Sequence, residues 1–345
     1  MIPIQNIYYM LSYAFQVLNE QGYKNIATEQ FNNTAELMAA ILEKGIAIQL
    51  KRGLGKEYIP QTEALSSLRG KIDIAESIKT QSMLRKQLIC TYDEFSVNSI
   101  MNQIIKSTVE LLLRSNISKQ RKKNLRKLMV YFSEVDFIDS YTVNWNVQYN
   151  RNNQTYRMLI SICYLVVKGL LQTQSNGHTE LMDFLDEQRM CRLYEKFILE
   201  YYRKEFKNQI TANASQIPWQ LDNEENSMLS VMQSDIMLQS GEKVLIIDAK
   251  YYEHSTQVQF DKHTLHSGNL YQIFTYVKNK EYELREKDHT VSGMLLYAKT
   301  DEEIYPNNVY QMSGNQITVR TLDLNLPFDE IAGQLNTIAK TYFDL

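Results

Sequence analysis

The chain has 345 residues, a net charge of −3 and 44% apolar against 22% charged side chains. That is globular composition with enough length for two cores. With 12 Gly and 5 Pro it is neither collagen-like nor a Pro-rich linker. Its longest near-apolar run, Met158 to Val167, is about half of what a membrane helix needs. The amino-terminal segment lacks the basic flank and small-residue cleavage site of a secretory signal. Three widely spaced Cys (Cys90, Cys163 and Cys191) fit reduced thiols in a cytoplasm, and their spacing speaks against a zinc site.

Hydrophobic periodicity predicts helices over Ile4 to Leu18 and, after an Asn33/Thr34 cap, over Ala35 to Leu50. Arg52, Gly53 and Gly55 break that pattern, and Tyr58 to Ile74 reads as short strands with turns. Asn98 to Leu113 is an amphipathic helix, Asn146 to Thr155 a loop and Met158 to Leu171 a buried helix. Between them, Lys119 to Lys127 holds six basic residues in nine positions. This run is either a solvated face or a surface for DNA phosphates or an acidic partner, with Lys122 and Lys123 at its centre.

From about residue 180 the rhythm changes, and the expected division is 1–180 and 181–345. Residues 1–180 carry 21 Lys and Arg against 15 Asp and Glu, and residues 181–345 carry 16 against 25. A long helix over Glu187 to Lys207 precedes two strand-like runs, Met228 to Leu238 and Lys243 to Tyr251, joined by a turn at Gly241. Helix Leu265 to Lys278, strands Val291 to Tyr297 and Gln316 to Leu322, and helix Phe328 to Tyr342 complete a mixed α/β pattern.

The chemistry concentrates in Asp235 and in Val244-Leu245-Ile246-Ile247-Asp248-Ala249-Lys250. Four aliphatic residues in a row read as a strand buried on both faces, and Asp248 and Lys250, two apart, share one of those faces. Asp235 lies on the preceding strand, within reach of Asp248 across a tight turn. Two such carboxylates with the Ala249 carbonyl make a hard-oxygen site suited to Mg²⁺, and Lys250 beside it is placed to orient a water. An Asp-x-Lys at a strand end is also compatible with a solvated turn. Glu195 and Glu200 on the preceding helix are candidates for a further acid, with Glu200 expected to point inward. His254, His263 and His266 cluster after the motif without a metal-ligand spacing.

The pattern Asp235…Asp248-Ala249-Lys250 resembles the PD-(D/E)XK nuclease core, of order α-β-β-β-α-β, with Ser234 where that family usually has Pro. Gln272 and Tyr276, one helical turn apart, resemble the Gln-x-x-x-Tyr helix motif of RecB-like nucleases. Six further segments sharpen the likeness: Ile2 to Leu11 with Tyr13-Ala14, Arg52-Gly53-Leu54 with Tyr58, Leu68 to Ile72, Asn102 to Ser107, Leu193 to Phe197, and Asp248 to Tyr252. Together they resemble the McrC family, the nuclease subunits of McrBC-type restriction systems.

The resemblance implies a mainly helical amino-terminal domain with a small β element, which docks on a McrB-like hexameric AAA+ GTPase. It implies a carboxy-terminal restriction-endonuclease-like α/β domain that cuts modified (methylcytosine-containing) double-stranded DNA with Mg²⁺, or Mn²⁺ in its place. Asp235, Asp248 and Ala249 would then hold the metal, Lys250 would manage the water, Gln272 would support the site, and Tyr276 would help place DNA. Arg52 and Arg69 lie in matching segments, either as surface salt bridges or as groups offered to a partner's nucleotide. The chain has no G-x-x-x-x-G-K-[ST] loop, and Gly53-Leu54-Gly55-Lys56 is only a fragment of one, so nucleotide-driven steps belong to a partner. A RecB-like repair nuclease acting without a GTPase and a non-cutting activator of a motor remain as other readings.

Overall fold

The opening helix, α1 (Ile4–Ala14), buries Ile7, Tyr8, Met10, Leu11 and Ala14 in a core whose other wall comes from the far end of the chain. Tyr9 stacks on Phe328 with ring centroids 4.4 Å apart, and Tyr13 meets Phe197 edge-on at 5.7 Å. The Asn6 amide donates to the carbonyls of Leu324 and Leu326, each at 2.8 Å. The computed structural model describes residues 2–15, 18, 23, 26, 29, 31, 33–139, 142–151, 153–176, 187–222, 228–252, 257–259, 262–299 and 305–345. It forms two compact units, one of residues 1–30 with 185–345 and one of residues 31–184. The division 1–180 and 181–345 expected from the sequence therefore differs at the amino terminus. An eleven-residue amphipathic helix has no core of its own and is stable only where its apolar face is covered.

The 31–184 unit comprises α2 (Thr34–Arg52), β1 (Glu57–Leu65), β2 (Lys71–Asp73), α3 (Ile74–Lys79), β3 (Leu88–Ser96), α4 (Ile100–Arg114), α5 (Lys119–Met129) and α6 (Tyr156–Asn176). Asn33 caps α2 as its sequence suggests, its side chain accepting from the Glu36 N–H at 2.8 Å. The sheet order is β1-β3-β2, antiparallel throughout. Its central strand β3 was not expected, because its acidic and aromatic residues show no clean alternation. Gly70, with φ +67°, opens β2 where a Cβ would lie 2.3 Å from the Thr91 carbonyl oxygen, so only glycine fits. The Tyr156 hydroxyl accepts from the Gly55 N–H at 2.7 Å and donates to Asn102 Oδ1 at 2.8 Å. Asn102 returns a bond to the Gly55 carbonyl at 2.9 Å, so the Gly53–Lys56 corner is held at the Gly55 backbone by the Tyr156 and Asn102 side chains.

In the other unit α7 (Glu187–Glu205) leads to β4 (Thr211–Asn213), β5 (Gln216–Ile217), β6 (Met232–Gln233), β7 (Ile236–Ser240), β8 (Lys243–Lys250), β9 (Gln257–Gln259) and β10 (Lys262–Thr264). Then come α8 (Ser267–Glu283), β11 (Thr290–Ala298), β12 (Asn308–Met312), β13 (Asn315–Leu322) and α9 (Phe328–Phe343). A six-stranded mixed sheet has the order β12-β13-β11-β8-β7-β4. β4, β7 and β8 run antiparallel in sequence, whereas β8 and β11, joined through α8, are parallel. The expected strand over 228–238 is broken at Ser234-Asp235 into β6 and β7. Val244 and Ile246 of β8 share a core with Ile273, Tyr276 and Val277 of α8 and with Val291 and Leu295 of β11. By the strand's two-residue period, Asp248 and Lys250 emerge on that same α8 face. Among the described residues no helix is long and apolar enough to cross a membrane.

Candidate functional site

The hairpin β7–β8 stops pairing at Ile236↔Ile247, and the polar residues begin where the ladder ends. Asp235 sits one residue before β7. Its Oδ2 accepts the Ala249 main-chain N–H at 3.0 Å. Ser234, at the place of the family's Pro, is fixed by an N–H bond to the Ser215 carbonyl at 3.0 Å and by a hydroxyl bond to the same oxygen at 3.2 Å. Asp248 is 1% exposed. Lys250 Nζ donates to Asp248 Oδ1 at 3.0 Å and stands 2.9 Å from Oδ2. Oδ2 is a buried oxygen without a hydrogen bond of acceptable geometry. Lys250 Nζ also donates to Gln272 Oε1 at 3.4 Å, and Gln272 Nε2 donates to the Tyr276 hydroxyl at 2.9 Å. Asp235, Asp248, Lys250, Gln272 and Tyr276 are thus brought together.

Burial, then the charge of Asp235, push the Asp248 carboxyl up, against the pull of Lys250. Burial alone would lower the Lys250 ammonium, but Asp248 overrides it and raises it. Glu195 on α7 is also raised, first by burial and then by repulsion from Asp235, and it shares the Cys191 thiol with the Ala249 carbonyl, which sets it, rather than Glu200, on the side of the acids. Glu200 instead pairs with Arg203 at 2.8 Å. The two are five residues apart, about 500° around the helix, so only one of them faces the sheet end.

Cys191 was missed by sequence reasoning. Its thiol donates to Glu195 Oε1 at 3.1 Å and lies 3.8 Å from the Ala249 carbonyl oxygen, and burial with that carboxylate pushes it up to about 12. It sits one helical turn before Glu195, the one signal that could have found it. Asn269 and Tyr297 were missed as well. The Asn269 amide donates to the Tyr297 hydroxyl at 2.9 Å, and Tyr297 pairs in register with Lys250.

The Asp248 carboxylate lies next to a second carboxylate and a main-chain carbonyl, an oxygen set that suits a hard cation, with Lys250 Nζ already paired 2.9 Å from its Oδ2. Among the described residues no group of three or more His, Cys, Asp or Glu side chains is set to hold a metal. A cation here would therefore rest on two carboxylates, the Ala249 carbonyl and water, which is the ligand set Mg²⁺ favours.

The other candidates lie elsewhere. Arg52 ends α2 and is exposed. Arg69 stacks on the Tyr92 ring, 4.4 Å from its centroid. Lys122 and Lys123 lie on α5. His266 is the N-cap residue of α8, with its ring 5.3 Å from that of Tyr252. His254 and the side chain of His263 lie outside the described residues.

The sequence matches the family model described as "McrBC 5-methylcytosine restriction system component" over residues 5–298. It is 30% identical, across 99% of its length and 98% of the relative's, to a protein of Escherichia coli (strain K12) named "Type IV methyl-directed restriction enzyme EcoKMcrBC". In solved structures it is similar to a chain of the refined half-complex of Thermococcus gammatolerans McrB AAA+ hexamers with bound McrC. That match has TM-score 0.48 and 18% identity, covering 97% of this chain and 76% of that one. A chain of the T. gammatolerans McrBC complex determined by cryo-EM matches with TM-score 0.42 and 20% identity over 59% of each.

Proposed function

Because the chain belongs to the family of McrBC 5-methylcytosine restriction system components, we propose that it is the DNA-cleaving component of such a system, acting in the cytoplasm on methylcytosine-containing double-stranded DNA. The observation that carries this reading is the meeting of Asp235 and Asp248 at the end of a buried strand, with Lys250 Nζ bonded to Asp248. The path α7–β4–β7–β8–α8–β11 follows the α-β-β-β-α-β order of PD-(D/E)XK nucleases, with β8 and β11 parallel, which supports assigning this unit to that fold.

The reaction is hydrolysis of a phosphodiester: water adds to phosphorus, the bond to one sugar oxygen breaks, and that oxygen takes a proton. Asp235, Asp248 and the Ala249 carbonyl are the groups that would hold Mg²⁺. When bound, it supplies Lewis acidity and charge neutralisation at the phosphate. Lys250, held between Asp248 and Gln272, is placed to orient the attacking water and to steady the negative charge that develops on the phosphate oxygens. The ammonium, a donor only, takes the Gln272 amide oxygen, and Tyr276 holds the amide's other end by accepting from its nitrogen. Glu195 adds negative charge from α7.

A McrB-like AAA+ GTPase is the partner this reading requires, since the chain has no nucleotide-binding loop of its own. The 31–184 unit is the docking body. Its α3 and the following turn expose Ile74, Ile78 and Leu84, at 62%, 62% and 81%, an apolar face of the kind that partners cover. The test is plasmid cleavage with Mg²⁺, comparing wild type with Asp248→Ala, each alone and with the partner and GTP, on methylated and unmethylated DNA. Partner- and GTP-dependent cutting that the substitution abolishes is the expected result, and equal cutting by both proteins would overturn the assignment.

A further inference from the structure

The 31–184 unit carries a basic surface on α5 that no acid among the described residues pairs with. Helix α5 packs inward through Leu125, which is fully buried. It also packs through Arg121, which reaches Glu36 at 3.3 Å and Glu43 at 2.8 Å on α2. The Ser118 N–H and hydroxyl both go to Glu36, at 2.7 and 2.9 Å, and Asn124 donates to Glu43 at 2.9 Å. The acids that α2 presents to α5 are thus engaged by its inner face. On the outside stand Lys119, Lys123, Arg126 and Lys127, exposed, and Lys122, half-buried. No acidic residue occurs between Glu110 and Glu134 in the sequence, and Glu110 is paired with Arg114.

The five cations fall at i, i+3, i+4, i+7 and i+8, one face of the helix, and extend about 12 Å at 1.5 Å per residue. That length spans several phosphates of a duplex, which carries a charge about every 1.7 Å of its axis. Four of the five are Lys and none of the stripe is aromatic or aliphatic. Protein interfaces are depleted of Lys and organised around apolar or aromatic anchors, whereas phosphate contacts need cations and no anchor. We infer that the outer face of α5 is a sequence-independent binding site for the phosphate backbone of double-stranded DNA, separate from the residues that cut. The ion pairs of Arg121 hold the helix rigid, so the stripe meets DNA as a fixed surface.

The experiment measures binding of the full chain to an unmodified duplex of about 30 bp by fluorescence anisotropy, in EDTA, across a range of salt concentrations. No cutting is needed, so failure of the cleavage assignment leaves this test intact. In the variant Lys119→Gln, Lys122→Gln, Lys123→Gln, Arg126→Gln, Lys127→Gln, affinity at low salt falls at least about tenfold. The slope of log Kd against log salt drops by about 3–4, at roughly 0.9 for each phosphate that is no longer neutralised. Replacing the four Lys by Arg retains binding and slope. If the five-fold variant does not melt cooperatively, the pair Lys123→Gln, Lys127→Gln supplies the same test with a slope change of about 2. An unchanged slope, or a wild-type chain that binds no duplex at low salt, would overturn the inference. So would intact DNA binding combined with failure to bind the partner GTPase, which would make α5 a protein-docking face.

Discussion

The carboxylate of Asp235 is held by the backbone of Ala249, whose N–H it accepts at 3.0 Å. An acid just outside β7 is thereby fixed by the end of β8, one residue from Asp248, rather than by the loop that carries it. With Ser234 bonded to Ser215 on the other side, Asp235 is anchored in two directions. One acid just outside β7 and one on β8 thus meet at one point, the preorganisation that the proposed hydrolytic site needs.

Glu195 and Glu200 separate cleanly in this geometry. Glu195→Gln removes a charge that interacts with Asp235 and Lys250, and DNA cleavage is expected to fall by roughly 10–100-fold, the usual effect of a group that tunes metal ligands. Glu200→Gln breaks a partly buried pair with Arg203 on the same helix, which touches none of the grouped acids, and leaves cleavage within about twofold. The measurement is the initial rate of plasmid cutting in the complete system. Equal loss in both variants would remove Glu195 from the site.

Tyr276 acts through Gln272. Its hydroxyl accepts from the Gln272 amide nitrogen, so Tyr276→Phe leaves that nitrogen without its acceptor and loosens the amide whose oxygen meets Lys250. Cleavage is expected to drop about tenfold, with GTP hydrolysis by the partner unchanged and the fold intact, because the ring stays in the core. Wild-type cutting by this variant would make Tyr276 a packing residue only.

The most local chemistry was the most legible. A run of four aliphatic residues ending in Asp-Ala-Lys fixes a buried strand and the shared face of Asp248 and Lys250, and the structure places them so. Asn33 was legible as a cap for the same reason, since its hydrogen bond reaches only three residues. What failed depended on long-range pairing. β3 is defined by its partners β1 and β2 more than by its own pattern. The place of α1 depends on Phe328 and Leu324, over 300 residues away. The choice between two glutamates on α7 turned on helix rotation against a sheet whose edge no sequence period reveals.

Asp248 gives the metal-free protein a pH signature. Its folded pKa is raised above the unfolded carboxylate value of about 3.9, so between those two values the folded state binds more protons than the unfolded one. Stability is then greatest below the unfolded value and is lost as pH rises toward the raised one. Asp248→Asn has no proton to lose there, and its stability in EDTA declines less over that window. Urea unfolding from about pH 4.5 to 8 reads the slopes. Only the difference in slope is diagnostic, because the substitution also leaves Lys250 without its carboxylate, and parallel curves would contradict the raised pKa.

Gly293 sets how closely α8 lies on the sheet. A Cβ there would stand 2.8 Å from Ile317 Cδ1 and Val277 Cγ2 and 2.9 Å from Ile273 Cγ1, too close for carbon against carbon. Gly293→Ala therefore pushes α8 outward or forces off-rotamer side chains, at about 1–3 kcal/mol, and α8 carries Gln272. Gly333 on the exposed side of α9 meets nothing within 4 Å. Gly333→Ala should raise stability by up to about 1 kcal/mol through helix propensity. Thermal melts of the two variants are expected to move in opposite directions, and only Gly293→Ala should lower cleavage as well. A Gly293→Ala protein as stable as wild type would mean that the α8–sheet packing yields more easily than these distances imply.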